Sequence, residues 1–176
     1  MTKILATIAL SVVSSLAIAA QPLPPGAAID VGFSPAGSAL EVVLHGINSA
    51  QSSIVVAAYS FTNRPIAAAL VDAQRRGVKV AVVADRGQNS RSYSAVTFLA
   101  NHGVPVRLND HYESMHDKFL VIDGQNVETG SFNYSSAADR NAENAVLLWH
   151  VKPLADQYTA EWQRLWQEGA DLKAAY

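Results

Sequence analysis

The sequence predicts an α/β fold, a mixed central sheet flanked by helices on both faces, and three observations carry that expectation. Apolar runs of strand length at Ile54–Tyr59 and Val78–Ala84 enclose a segment with helical start and stop signals. The same strand–helix alternation extends from residue 33 to residue 108, the pattern of a sheet with crossover helices. After Leu108 the rhythm breaks: strand-like runs at 118–122, 126–130 and 144–149 follow without helices of ordinary length between them, which requires an antiparallel or mixed portion.

Taken in order, Phe33-Ser-Pro35 reads as a short strand stopped by its proline. Gly37 to Ala50 reads as a helix with Leu40, Val43, Leu44 and Ile47 on one stripe. Asn63-Arg-Pro65 marks the next helix start, with proline in the first turn, and Gly77 closes that helix after Arg75-Arg76. Ser90 to Asn101, closed by Gly103, is a third helix, and Val104 to Leu108 a third strand of the alternating half. Asn109 to Met115 is a polar loop. Lys152 to Glu168 is the last helix, whose packing face of Leu154, Tyr158, Trp162, Leu165 and Trp166 is expected to be core and not a base-stacking platform. There are no internal repeats.

Length and composition bound the rest. A chain of 176 residues, 49% hydrophobic, fits one domain with a sizeable core. It has no cysteine, which excludes disulfides and thiolate metal sites. Residues 1–20 read as a secretory signal peptide: Lys3, an apolar stretch from Ile4 to Ala20, and Ala17-Ile-Ala19 as the cleavage site. An uncleaved anchor is the competing reading. Ser11, Ser14 and Ser15 interrupt the apolar stretch and favour cleavage, so the expected location is periplasmic or secreted. Residues 21–32, opening with Gln21-Pro-Leu-Pro-Pro25, are expected to form an N-terminal arm, and residues 33–176 the domain.

The formal net charge of −2 does not advertise a nucleic-acid binder. Net charge is not local field, however. Arg64, Arg75, Arg76, Lys79, Arg86 and Arg91 crowd one region, and either a basic cleft or a solvated face is compatible with that cluster.

The chemistry concentrates in His116-Asp-Lys-Phe-Leu-Val-Ile-Asp123, followed by Gly130-Ser-Phe-Asn133 and Asn141-Ala-Glu143. Side chains two residues apart on a strand share a face, so His116 with Lys118, Ser131 with Asn133, and Asn141 with Glu143 form three polar pairs. Asp123-Gly124 is a hairpin turn that returns the chain and lays the first two pairs side by side. With 5 His, 5 Lys and 9 Asp in the chain, H-x-K-x4-D arises by chance at roughly 0.007 per sequence. The competing reading, a hairpin whose polar residues merely face solvent, leaves three coincident pairs unexplained.

These residues resemble the phospholipase D superfamily, whose signature is H-x-K-x4-D followed by G-S/G-x-N. The resemblance implies an α-β-α sandwich, phosphodiester chemistry through a covalent phosphohistidine, and a second histidine that protonates the leaving oxygen. Read physically, Lys118, Asn133 and Ser131 can donate hydrogen bonds to non-bridging phosphate oxygens. His116 can attack phosphorus while an acceptor holds its other ring nitrogen, and Glu143 is the candidate acceptor. Asp123 has the opposite parity and sits at the turn, which gives it a bracing role, and Asp117 points away from the pair. Asn141, Arg86 and Arg91 are candidate substrate contacts.

The chain holds one H-x-K, and His45, His102, His111 and His150 lack a partnering lysine. A two-fold homodimer placing His116 of each chain across one phosphate is therefore expected; a single-chain site using His111 is the rival. Lys118 would set a positive charge beside any ion bound by His116, so the expected chemistry uses no metal and no cofactor. The expected activity is sequence-nonspecific endonucleolytic cleavage of DNA, with RNA as the other nucleic acid. Phospholipase D or phosphatidyl-transfer activity, and a catalytically idle nucleic-acid-binding module, are the alternatives.

Overall fold

The structure is a computed structural model that describes residues 20–90 and 94–174. The expected signal peptide (but for Ala20) and Arg91 lie outside the described residues. The elements are β1 (Ala28–Ser34), α1 (Ser38–Ser49), β2 (Ser53–Ala58), α2 (Arg64–Arg75), β3 (Lys79–Asp85), α3 (Arg86–Asn89), α4 (Ala95–Asn101), β4 (Val106–Asn109), β5 (Lys118–Ile122), β6 (Asn126–Gly130), a 3-10 turn (Ala138–Arg140), β7 (Glu143–Trp149), α5 (Lys152–Glu168) and β8 (Ala170–Asp171).

The strands form one sheet in the order β1-β7-β6-β5-β2-β3-β4-β8. β2, β3 and β4 run parallel, as their crossover helices require, and every other pairing is antiparallel. The expected mixed α/β sheet is thus what forms. Alternation along the strands splits the core in two. Val56, Val82, Leu120, Ile122 and Leu147 pack with α1, α2 and α4 on one face. Ala57, Val83, Phe119, Val121 and Val127 pack with α5 on the other.

Local chemistry sets the ends. Asn63 caps α2 by accepting from the Ile66 amide at 3.2 Å, and Pro65 sits where no amide partner is needed. Asp123 (φ 54°) and Gly124 (φ 63°) both take the left-handed conformation that a two-residue hairpin turn demands between β5 and β6. On α5, Trp162 is buried, donates from Nε1 to the Val56 carbonyl at 2.9 Å and stacks on Trp166, as core residues do.

Three boundaries differ from expectation by two residues or more. The first strand begins at Ala28, inside the expected arm, because residues 28–34 pair in full with β7. The helix expected from Ser90 starts only at Ala95, after the short α3, which Asp85 caps by accepting from the Gln88 amide at 2.8 Å. β4 starts at Val106 because Pro105 has no amide to give the ladder.

Candidate active site

The parallel strands β2 and β3 end, and β5 begins, at the same edge of the sheet, since Lys118 pairs with Ala58. Strand pairing brings the motif segments together there: β5 lies against β6 and β6 against β7, so the start of β5, the end of β6 and the start of β7 share that edge. Of the three polar pairs, only Lys118 and Glu143 lie within strands. His116 precedes β5, Ser131 and Asn133 follow β6, and Asn141 precedes β7. Register, more than alternation along single strands, assembles the cluster.

Lys118 is 8% exposed. Its Nζ donates to the His116 carbonyl at 2.6 Å and lies 3.0 Å from His116 Nδ1 and 3.4 Å from Nε2. Tyr59, at the end of β2, packs its ring 4.3 Å from the imidazole and 5.1 Å from the ammonium, a residue the motif reading did not single out. Burial pulls the Lys118 pKa below the ordinary lysine value, opposed by the negative charges of Asp117 and Glu143. Lying within 3.4 Å of both ring nitrogens, the ammonium faces the imidazole as a whole and does not fix its tautomer.

Gly130 lets the chain turn into this cluster: a Cβ there would sit 2.1 Å from the Asn144 carbonyl oxygen. Asn144 then secures Ser131 from both sides, accepting from its amide at 3.1 Å and donating its own amide to Ser131 Oγ at 3.0 Å. The Ser131 hydroxyl proton stays free to donate elsewhere. Asn133 is half-buried, and its buried Oδ1 has no hydrogen-bond partner among the described residues. His116, Lys118, Thr129 and Ser131 line an open cleft of about 550 Å³, walled by Tyr158 and Glu161 of α5.

Other candidates are placed differently. Glu143 does not hydrogen-bond the His116 ring of its own chain; it accepts from Asn141 Nδ2 at 3.1 Å, because the start of β7 lies on the far side of β6 from β5. Asn141, named as a substrate contact, is thereby engaged with Glu143, and its carbonyl accepts from Ser34 Oγ at 2.9 Å. Arg86 stands at the right edge but is ion-paired with Asp110 at 2.8 Å. Arg75, Arg76 and Lys79 lie at the opposite edge, where α2 ends and β3 begins, so among the described residues that basic group does not gather in a single cleft.

Asp123 accepts from the amides of Gln51, Ser52 and Ser53 at 2.8–3.2 Å and from Ser52 Oγ at 2.9 Å, joining the β5–β6 turn to the start of β2 far from the cleft. Partial burial pushes its pKa up, but those donors outweigh it and hold the carboxyl below its ordinary value. Asp117 lines the α5 side of the cleft, where burial and the nearby Glu161 raise its pKa. His111 packs edge-on against Tyr112, whose hydroxyl donates to Glu168, and no hydrogen bond or ring contact links it to His116 among the described residues. No cluster of three or more metal-ligating side chains occurs among the described residues.

Comparison with known proteins places this geometry. A family model described as the cardiolipin synthase PLD-like domain matches residues 43–166. The crystal structure of NUC from Salmonella typhimurium, a phospholipase D family member, superposes with a TM-score of 0.82 at 42% identity, over 84% of this chain and 99% of that one. NucT from Helicobacter pylori superposes with a TM-score of 0.76 at 26% identity, over 83% and 99%. A phospholipase D of Rickettsia bellii is 36% identical over 131 residues, 74% of this chain. The chain spans 65% of that relative's length, a little under two thirds. A family model matching well over half of the chain, together with a signature whose His116, Lys118 and Ser131 line one cleft, makes this protein a member of the phospholipase D superfamily.

Proposed function

We propose that the protein is a phosphodiesterase that cuts DNA without sequence preference, as a two-fold dimer, through a phosphohistidine. The observation that carries the chemistry is the juxtaposition of a buried ammonium and an imidazole, Lys118 Nζ 3.0 Å from His116 Nδ1, in an open cleft. A phosphate oxygen entering the cleft accepts from the Lys118 ammonium, which brings phosphorus beside the imidazole. The imidazole nitrogen then bonds to phosphorus while the bond to the leaving oxygen breaks. Lys118, Ser131 and the Asn133 Nδ2 group donate to the oxygens on which negative charge grows. A second imidazole gives its proton to the leaving oxygen. It next takes a proton from water, whose oxygen displaces His116 from phosphorus and restores the enzyme.

The second imidazole is His116 of a second copy. Support comes from the uncovered face of β1 and β7. Ile29, Val31 and Phe33 are 51%, 52% and 58% exposed on an edge strand and pair with Leu148, Val146 and Asn144. This apolar strip runs to the register Ser34↔Glu143, at the active-site edge, so a second copy seated on it abuts the cleft. Glu143, which strand order keeps from the imidazole of its own chain, is free across a two-fold axis to accept from the other one.

DNA as substrate is supported by near-complete coverage of the Salmonella NUC chain at 42% identity. A lipid phosphodiester is the second reading, favoured by the name of the Rickettsia relative. Residues 1–20 are taken as a cleaved leader, so the mature protein works outside the cytoplasm. Purified mature protein is incubated in EDTA with plasmid DNA and, separately, with phosphatidylcholine vesicles. Nicking without choline release is the expected result, and the reverse would replace the DNA reading with the lipid one. Mixed dimers of wild type and His116→Ala should fall far below half activity, whereas half activity would refute the shared site.

A further inference from the structure

Glu128 sits in the middle of β6, 1% exposed, on the sheet face packed by α1, α2 and α4. Its cross-strand neighbours are Leu120 and Leu147, so an apolar side chain would suit the position better. Its Oε2 accepts from the Tyr134 hydroxyl at 2.6 Å, and Tyr134 is itself fully buried. Burial pushes the Glu128 carboxyl up to about 8, so it is neutral at pH 7.

Tyr134 directly follows Asn133. Its carbonyl accepts from the amides of both Thr62 and Asn63 at 2.9 Å, and its ring meets Phe61 edge-on. On the other side of Asn133, buried Phe132 donates its amide to the Asn144 carbonyl at 3.1 Å. Asn133 is therefore held between two buried aromatic residues on a segment outside any strand. Apolar packing alone leaves a ring free to slide along its own axis. A directed hydrogen bond at the ring's far end fixes its depth, and with it the backbone that aims Asn133.

We propose that Glu128 is a positioning residue for the phosphodiesterase site: through the Tyr134 hydroxyl it sets the 131–135 segment so that the Asn133 amide faces the scissile phosphate. The role rests on the reading of Asn133 as a phosphate-binding group. Glu128 touches no substrate; it acts only by where it holds Tyr134.

The test is a kinetic double-mutant cycle on plasmid nicking, run alongside circular dichroism and thermal melts. Tyr134→Phe should lower kcat about ten- to a hundredfold, with KM moving less than about threefold, as expected for a misaimed transition-state donor. Glu128→Gln, whose side-chain carbonyl still accepts from Tyr134, should stay within about threefold of wild type. On an Asn133→Ala background, Tyr134→Phe should add less than about twofold, because the group it positions is gone. Val71→Ala on α2 is the stability control, lowering the melting temperature while keeping kcat. Glu128→Met leaves the tyrosine hydroxyl unpaired, carries the same expectation as Tyr134→Phe, and replaces it if that variant does not fold. A wild-type kcat for Tyr134→Phe, or a loss that multiplies in full on the Asn133→Ala background, overturns the positioning role. A wild-type rate for Asn133→Ala itself overturns the reading of the site and the inference with it.

Discussion

A catalytic and a bracing role for Asp123, the aspartate of the H-x-K-x4-D pattern, predict opposite outcomes for its removal. If Asp123 shared in catalysis, Asp123→Ala would leave a folded, dead enzyme. The structure calls for the opposite, a weakened fold with a working site. The substitution strips the acceptor from three backbone amides and one hydroxyl of residues 51–53. Gln51 and Ser52 are exposed and Ser53 is half-buried, so water replaces part of what is lost, and each backbone bond contributes about 1 kcal/mol. Alanine at the left-handed φ of 54° adds about 1 kcal/mol, which aspartate largely avoids. The total is about 3–4 kcal/mol, equivalent to a fall of roughly 10 °C in Tm for a domain of this size. Because Asp123 has a lowered pKa in the fold, its stabilisation is complete above the ordinary carboxylate range and disappears as pH falls through the folded value. Denaturant titration of wild type and Asp123→Ala measures the loss, and nicking rates per folded molecule at low temperature measure the site. A variant as stable as wild type, or one folded but inactive, would refute the bracing role.

Other expectations follow from the same geometry. His116→Ala should abolish turnover, and Lys118→Ala should lower kcat by about 10²–10³-fold, both with wild-type circular dichroism; near wild-type cutting by His116→Ala would undo the assignment. Nicking should survive excess EDTA, because Lys118 places a fixed positive charge beside the phosphate; loss in EDTA with recovery on adding Mg²⁺ or Zn²⁺ would count against that mechanism. Glu128 titrates near 8 in the fold and near its ordinary value of 4.5 when unfolded. Its contribution to stability is therefore full at acid pH and lost as pH rises to about 8, a decline of a few kcal/mol that Glu128→Gln should flatten in denaturant titrations from pH 5 to 9.

The sequence alone determined the features that depend on neighbours along the chain. The apolar runs of β2, β3 and β5, the Asn63-Arg-Pro65 helix start, the Asp123-Gly124 turn and the spacing of His116 and Lys118 all report periodicity or turn chemistry within a few residues. What the tertiary structure decided is what long-range pairing creates. Asp123 finds its donors some seventy residues earlier, at 51–53, through the β2–β5 pairing. The chain direction of the parallel strands sends Arg75, Arg76 and Lys79 to the edge away from the cleft, although they neighbour Arg86 in sequence. Glu128 looks like any strand glutamate until Leu120 and Leu147 close over it. Ile29, Val31 and Phe33 have the pattern of an inward-facing strand, yet they face outward, because α5 covers the other half of the sheet. Periodicity tells which side chains share a face; only the packing of distant elements decides which face is buried and what it meets.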